Sequence, residues 1–461
     1  MYIEQLYTGC LAEAAYYIES EGDVAIIDPL RETSPYTTMA EKRNAKIKYV
    51  FETHFHADFV SGHIDLARKT NAKIIYGPTA KTGYEVYVAK DGEVFNIGKI
   101  KLKVLHTPGH TMESSCYLLI DENGKEHAVF TGDTLFVGDV GRPDLAIQTG
   151  LTIEDLAGHM YDSLNNKIRP LADDVIVYPA HGAGSSCGKN IGKETFSTIG
   201  TQKKLNYALQ PMSKAEFVKA VTDGLTAAPN YFTHDANLNK EGYGSIDEIM
   251  QKNTKALNVA AFEAEIAKGA LVLDVRTPDD FEKGFVPGAV NIGLNGQYAP
   301  WVGALLDPSV PLVLITDTGK ESEAVLRLAR VGFENVSGYL EGGITAWKNA
   351  GKTVDTIESI AAPDFVKNIA SEEVILDVRK PGEVESGILE NAQHICLSNL
   401  QKELSSLDKN KHYTIHCAGG YRSMMAASIM KREGFSHITN VLGGMGKIKE
   451  TGVKLVQPAT V

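Results

Sequence analysis

Among the first 181 residues, six side chains of metal-binding type stand out by their motifs and spacing, and that spacing is what chemistry can use. His54 and His56 sit two apart in FETHFHADFVSGH, Asp58 follows, and His110, Asp133 and His181 come from TPGHT, TGDT and PAHG. Imidazoles and carboxylates at this density form the donor set of a metal centre. His54 and His56, at a strand end, are expected to project to one side, with Asp58 in the turn beyond. A second stretch, YTIHCAGGYRS, runs the strand Tyr413 to His416 into Cys417 and a glycine-rich loop ending on Arg422, before an apolar helix. Such a loop at a helix N-terminus aims backbone N–H groups and the helix dipole at the enclosed sulfur, favouring thiolate and persulfide anion. His416 alternates to the other face of its strand and is not expected to be the base.

Elements must hold these groups in place. The first half reads as short apolar strands, DVAIIDP, AKIKYVFETH, IKLKVLHTPG, HAVFTGD and DVIVYPAHG, and the later four end on His or Asp. Strands of one sheet then deliver ligands from their ends into a shared rim of loops. A capping box from Ser213 to Glu216 starts a helix, and PNYFTHDANLNKEGYGS after it reads as a domain boundary. Beyond it the chain repeats itself: LVLDVRTPDDFEKG is echoed by VILDVRKPGEVESG, and GYLEGGITAWKNAG by NVLGGMGKIKETG. Strands alternate with helical patterns in both copies, which predicts two α/β domains with parallel sheets. The expected domains are residues 1–245, 255–352 and 358–458. In the first copy the stretch matching the cysteine loop is Asp317-Thr-Gly-Lys-Glu-Ser322, without Cys or Arg. An aspartate carries no persulfide, so a structural role is expected there.

A length of 461 residues fits about three domains. The net charge of −12, with Lys and Arg dispersed, is not the footprint of a nucleic-acid binder. Five scattered cysteines make no disulfide framework and fit a reducing compartment. Cys10, Cys116 and Cys396 sit in apolar or strand-like contexts as packing residues. No leader pattern opens the sequence and no apolar run reaches bilayer length, so a soluble, cytoplasmic protein is expected, with no membrane partner.

The first half resembles the metallo-β-lactamase superfamily, which implies an αββα fold; its His-x-His-x-Asp-His signature reads here His54, His56, Asp58 and then Phe59. In two-zinc members such as glyoxalase II the fourth position gives an imidazole to the second metal. Phenylalanine gives none, and Asp58, His181 and a bridging Asp133 are an oxygen-rich, poor set for a second zinc, so one metal is expected. The finer match, through TPGHTMESS, TGDTLFVGDVGRPDL and PAHGAGSSCGK, is to persulfide dioxygenases. Spacing does not choose three ligands among six; that resemblance implies one Fe(II) per chain held by His54, His110 and Asp133, with His56, Asp58 and His181 behind them. Two His and one carboxylate on one face leave open positions where a persulfide and dioxygen can meet. Arg142 is a candidate clamp for an anionic part of the substrate, and Cys187 in GSSCGK is expected near the site mouth. Animal members continue the last His as His-Asp-Tyr, where this chain has His181-Gly-Ala, which leaves the natural thiol open.

The repeats resemble rhodanese sulfurtransferases, so Cys417 is expected to carry sulfane sulfur and Arg422 to help hold an anionic donor or acceptor. Phosphatases of related fold put five residues between Cys and Arg, where this loop has four. The first repeat is a degenerate rhodanese. Together these resemblances imply a persulfide dioxygenase fused to a sulfurtransferase, oxidising a low-molecular-weight persulfide with O2 to sulfite and joining sulfane sulfur to sulfite as thiosulfate, in sulfide detoxification. Self-association into a homo-oligomer is expected. The rival reading is a zinc thioester hydrolase of the glyoxalase II kind.

Overall fold

In the computed structural model, residues 1–145, 150–225, 227–369 and 373–458 are described. The chain forms two compact units, Met1–Ile249 with Leu328–Gly332, and Met250–Arg327 with Phe333–Val461. Among the described residues no helix is long and apolar enough to cross a membrane.

The first unit stacks two six-stranded sheets. Their facing sides share a core in which Tyr16, Ile18 and Phe51 of one sheet meet Val104, Tyr117 and Phe130 of the other. Helices cover both outer faces. Tyr36 and Ala40 of helix Ser34–Lys42 pack with Val24 and Val50, while Leu156, Ala157 and Met160 of helix Ile153–Ser163 are buried, the last two among Val129 and Val177. Strands buried on both sides read as unbroken apolar runs, and that is why EAAYYIES and DVAII show no polar alternation. The expected helix does begin at Ser213, whose side chain accepts from Glu216 N–H while Glu216 reaches back to the Ser213 N–H.

The second unit contains the two repeats, and they have one topology. The sheet of the first repeat runs in the order Ala256–Leu257, Val336–Leu340, Leu312–Ile315, Leu271–Asp274, Val290–Asn291, all parallel. The second runs Glu358–Ala361, Ile438–Leu442, Tyr413–His416, Val374–Asp377, Gln393–His394. The repeated Leu-Asp-Val-Arg has a physical reason. Arg379 Nη2 donates to Asp377 Oδ2 at 2.6 Å and to the Gly387 carbonyl at 2.8 Å, stapling the strand end to the turn beyond it. Arg276 does the same with Asp274 at 2.6 Å and the Gly284 carbonyl at 3.0 Å. Both pairs are buried.

Removing one partner of such a pair leaves an uncompensated buried charge, at a cost of about 3 kcal/mol or more. Arg379→Ala is therefore expected to lower the urea midpoint of the second unit substantially. An exposed control, Lys283→Ala, is expected to leave it unchanged.

Candidate metal centre

Four strands of the first unit stop just short of the donors they deliver. Strand Lys46–Glu52 precedes His54, Ile100–His106 precedes His110, Glu126–Gly132 runs directly into Asp133, and Ile176–Pro179 precedes His181. All six expected donors are buried. Ligand atoms of His54, His110 and Asp133 lie within 4.8 Å of one another, as do those of Asp58, His181 and Cys187. His110 Nε2 is 3.4 Å and His54 Nε2 4.0 Å from Asp133 Oδ2.

His54 and His56 lie side by side as expected, their ring centroids 4.2 Å apart, but they are not bound in the same way. The two residues lie in the loop past the strand, outside the alternation that governs strand side chains, and their donor atoms face different neighbours. His56 Nε2 is 3.1 Å from Asp28 Oδ1 and 3.6 Å from Glu52 Oε2, and these three residues form a buried cluster of their own. Phe59, fully buried, packs its ring 4.3 Å from the His56 ring.

Neighbouring oxygens, one of a side chain and one of the main chain, settle which nitrogen each imidazole offers. Thr53 Oγ1 donates to Asp28 Oδ2 at 2.8 Å, so toward His54 Nδ1, 3.0 Å away, it can only accept, and the ring proton sits on Nδ1. His110 Nδ1 gives its proton to the Arg142 carbonyl at 2.8 Å. Nε2 of both rings, and both Asp133 carboxylate oxygens, have no hydrogen-bond partner among the described residues. Buried polar atoms in that condition are costly unless something else binds them, and a metal ion is what two bare imidazole nitrogens and a carboxylate fit. Burial, reinforced by His56, His110 and His181, holds the His54 imidazole well below its ordinary range, in the neutral form a metal needs.

His181 is different. Its Nδ1 donates to the Ala12 carbonyl at 3.1 Å, while Nε2 lies 3.3 Å from Asp58 Oδ2 and 3.5 Å from Asp133 Oδ1. Burial pulls this imidazole down, but the two carboxylates outweigh it and raise it above the usual range. Asp58 itself is pushed up, chiefly by burial. Cys187 lies within the buried cluster, deeper than the site mouth expected for it, and burial followed by Asp58 and Asp133 drives its thiol well above the ordinary range. Arg142 is also engaged: its guanidinium holds Asp144 at 2.6 and 2.7 Å, and its main chain serves the site through the bond to His110. Two glycines make the approach possible. A Cβ at Gly141 would fall 2.1 Å from the Asp133 carbonyl, and Gly132, at φ +50°, would put one 2.6 Å from Thr53.

The segment read as a boundary is a working part of the site. Helix Phe232–Glu241 carries the buried Asn239, whose Nδ2 donates to the His56 carbonyl at 2.7 Å and the Phe59 carbonyl at 2.8 Å, while Oδ1 accepts from Ser61 N–H at 2.9 Å. The Tyr243 hydroxyl donates to the Ser61 carbonyl. Neither residue stood out in the sequence, because both bind main-chain atoms. Asp28 had a signal: in DVAIIDP an Asp directly follows the apolar strand, before Pro29.

In the second unit, Gly420 N–H donates to Cys417 Sγ at 3.1 Å, and the helix following the loop runs Tyr421–Arg432. Met445 N–H donates to the Cys417 carbonyl at 2.7 Å, tying the loop from behind. Arg422 is held at the loop by Glu383 through contacts of 2.6 and 2.7 Å. His416 Nε2 faces Asp377 at 3.8 Å, and burial lowers its basicity.

Comparison with known proteins agrees with this division. Residues 8–181 match the metallo-beta-lactamase superfamily, and residues 258–350 and 361–451 each match the rhodanese-like domain. A probable hydroxyacylglutathione hydrolase of Schizosaccharomyces pombe is 33% identical over 186 residues, covering 40% of this chain and 68% of that protein. The cytoplasmic hydroxyacylglutathione hydrolase of Arabidopsis thaliana is 33% identical over 37% of this chain and 65% of its own. The chain thus spans about two thirds of these curated relatives. Among solved structures, a metallo-beta-lactamase from Staphylococcus aureus is 32% identical with a TM-score of 0.66, covering 74% of this chain and 98% of that one.

Asn239→Leu would strand two buried carbonyls and an N–H at the loop bearing His56 and Phe59. With each unmet group costing about 1–3 kcal/mol, the first unit is expected to lose at least about 2 kcal/mol in urea unfolding, and to shed its metal on dialysis faster than the unaltered chain.

Proposed function

The chain belongs to the metallo-beta-lactamase superfamily and carries two rhodanese-like domains behind that domain, and from this we propose that it is a mononuclear non-haem iron persulfide dioxygenase joined to a sulfurtransferase. The observation that supports this most is the split among the six donors. His54, His110 and Asp133 converge on one point; His56 Nε2, likewise without a hydrogen bond, faces the carboxylates of Asp28 and Glu52 instead; and Phe59 stands where a second metal would need an imidazole. Two His and one carboxylate make the facial set of non-haem iron oxygenases. A ferrous ion bound there would supply the redox chemistry by which dioxygen attacks a sulfur anion.

The reading gives the chain's other residues definite work. Thr53 and the Arg142 carbonyl keep His54 and His110 in the tautomer that leaves Nε2 bare. His181 Nε2 lies between Asp58 and Asp133, whose carboxylates raise the imidazole above its usual range against the pull of burial, and it can serve as the proton donor to a departing thiolate. The overall change is RSSH + O2 + H2O to RSH + sulfite + 2 H+. At Cys417 the thiolate takes the outer sulfur of a second persulfide, releasing thiol. Sulfite then attacks that sulfur, freeing the Cys417 thiolate and leaving as thiosulfate. The Gly420 N–H supports the anion on Sγ in the thiolate form, the form that attacks the persulfide and the one that sulfite frees. One chain bearing both sites raises the effective concentration of sulfite for Cys417. The partners are a low-molecular-weight thiol persulfide, O2 and sulfite, and the setting is cytoplasmic sulfide detoxification.

The names of the curated relatives favour a second reading, a zinc-dependent thioester hydrolase, since those proteins are hydroxyacylglutathione hydrolases. Phe59 counts against it. The experiment is O2 uptake by iron-loaded full-length protein given glutathione persulfide or cysteine persulfide, with S-lactoylglutathione hydrolysis followed on a zinc-loaded sample. Uptake proportional to iron is expected. Thioester hydrolysis without O2 uptake would overturn the proposal. Cys417→Ser is expected to leave sulfite formation intact and abolish thiosulfate, as read by ion chromatography.

A further inference from the structure

The cysteine-less repeat makes contact with the sulfur loop of the other repeat, within the same unit. Tyr421 is the loop residue between Gly420 and Arg422, and it opens the helix Tyr421–Arg432. Its hydroxyl donates to the Gly293 carbonyl at 2.6 Å, in the loop after strand Val290–Asn291 of the first repeat. The ring fills the space in front of Gly296. A Cβ there would fall 2.5 to 2.9 Å from three atoms of the Tyr421 ring. Gly296 has no positive φ, so its backbone asks nothing special of the residue type; the room for the ring does.

That seat is itself held. Arg327 donates to the Leu294 carbonyl at 2.6 Å and the Gly296 carbonyl at 3.1 Å. Arg327 lies on helix Glu321–Ala329, the counterpart of the helix behind Cys417, so the helix that has no sulfur to serve shapes the loop that receives Tyr421. The contact continues along the active helix. Ser428 Oγ accepts from Asn291 N–H at 3.0 Å, and Arg432 donates to the Gly288 carbonyl at 2.9 Å. Positions 421, 428 and 432 are seven and four residues apart and form one stripe of a helix.

We propose that the cysteine-less repeat is the platform that holds the sulfur loop in its working shape, with Tyr421, seated against Gly293 and Gly296, as the positioning residue for Cys417. This rests on the reading of Cys417 as a sulfur carrier. The consequence for chemistry runs through Gly420, the residue next to Tyr421, whose N–H donates to Cys417 Sγ. A ring displaced from its seat moves the start of the helix, and with it the donor that steadies the sulfur anion.

The test uses the full chain with Tyr421→Phe, Gly296→Ala and, as an interface change far from the loop, Arg432→Ala. Sulfur transfer from thiosulfate to cyanide gives kcat and KM, and mass spectrometry of the Cys417 peptide gives its alkylation rate against pH. Gly296→Ala is expected to lower kcat by about tenfold and move the alkylation profile to higher pH, and Tyr421→Phe to do so by about threefold, as for one neutral hydrogen bond. Arg432→Ala is expected to change neither, and O2 uptake is expected to persist in all three. The proposal is overturned if Gly296→Ala and Tyr421→Phe keep the unaltered kcat and profile, or if Arg432→Ala loses as much as Gly296→Ala. An unaltered chain that transfers no sulfur would instead contradict the reading of Cys417, while the alkylation profiles would still decide whether the seat positions the thiol.

Discussion

An imidazole offers a lone pair to a metal only when its other nitrogen has somewhere to place its proton. At this centre the framework provides that place. Thr53, already donating to Asp28, takes the Nδ1 proton of His54, and the Arg142 carbonyl takes that of His110. Both acceptors are fixed by strand ends and by glycines that let the loops close to van der Waals distance. Burial then keeps His54 neutral, and the convergence of bare nitrogens with Asp133 follows. The same logic sets His181 apart, because the carboxylates beside it favour the protonated ring. Two near-identical side chains thus differ in proton affinity through their neighbours alone.

The second half of the chain shows what duplication leaves behind. Both repeats keep the buried Asp–Arg staple and the strand order, since these stabilise the sheet whatever the loop does. The first repeat has dropped the chemistry and retains surfaces that contact its twin. A domain without a nucleophile can still be under structural constraint when another domain's loop is seated on it.

Much of this was legible in the sequence, and the pattern of what was not has a physical cause. The donors His54, His110, Asp133 and His181 stood out because apolar strands ending in His or Asp are a sequence pattern. The capping box at Ser213 and the twin Asp-Val-Arg stretches were legible for the same reason, each being a side-chain requirement at fixed spacing. The turning of His56 towards Asp28 was not, because it depends on loop geometry past the strand end. Asn239 and Tyr243 were missed inside a polar stretch that looked like a linker; they brace main-chain carbonyls, which leave no mark on residue type. Tyr421 was quoted within the sulfur loop but its partner is a backbone carbonyl more than a hundred residues away, and spacing says nothing about that.

The central claim is that this metallo-beta-lactamase fold holds one metal ion in a three-residue set. The most direct measurement is an anaerobic titration of apo protein with Fe(II), and separately with Zn(II), followed by metal analysis after gel filtration. Saturation at one ion per chain, lost in His54→Ala and Asp133→Ala and retained with weaker affinity in His56→Ala, is the predicted result. Two tightly held ions per chain, with His56→Ala losing one of them outright, would contradict it.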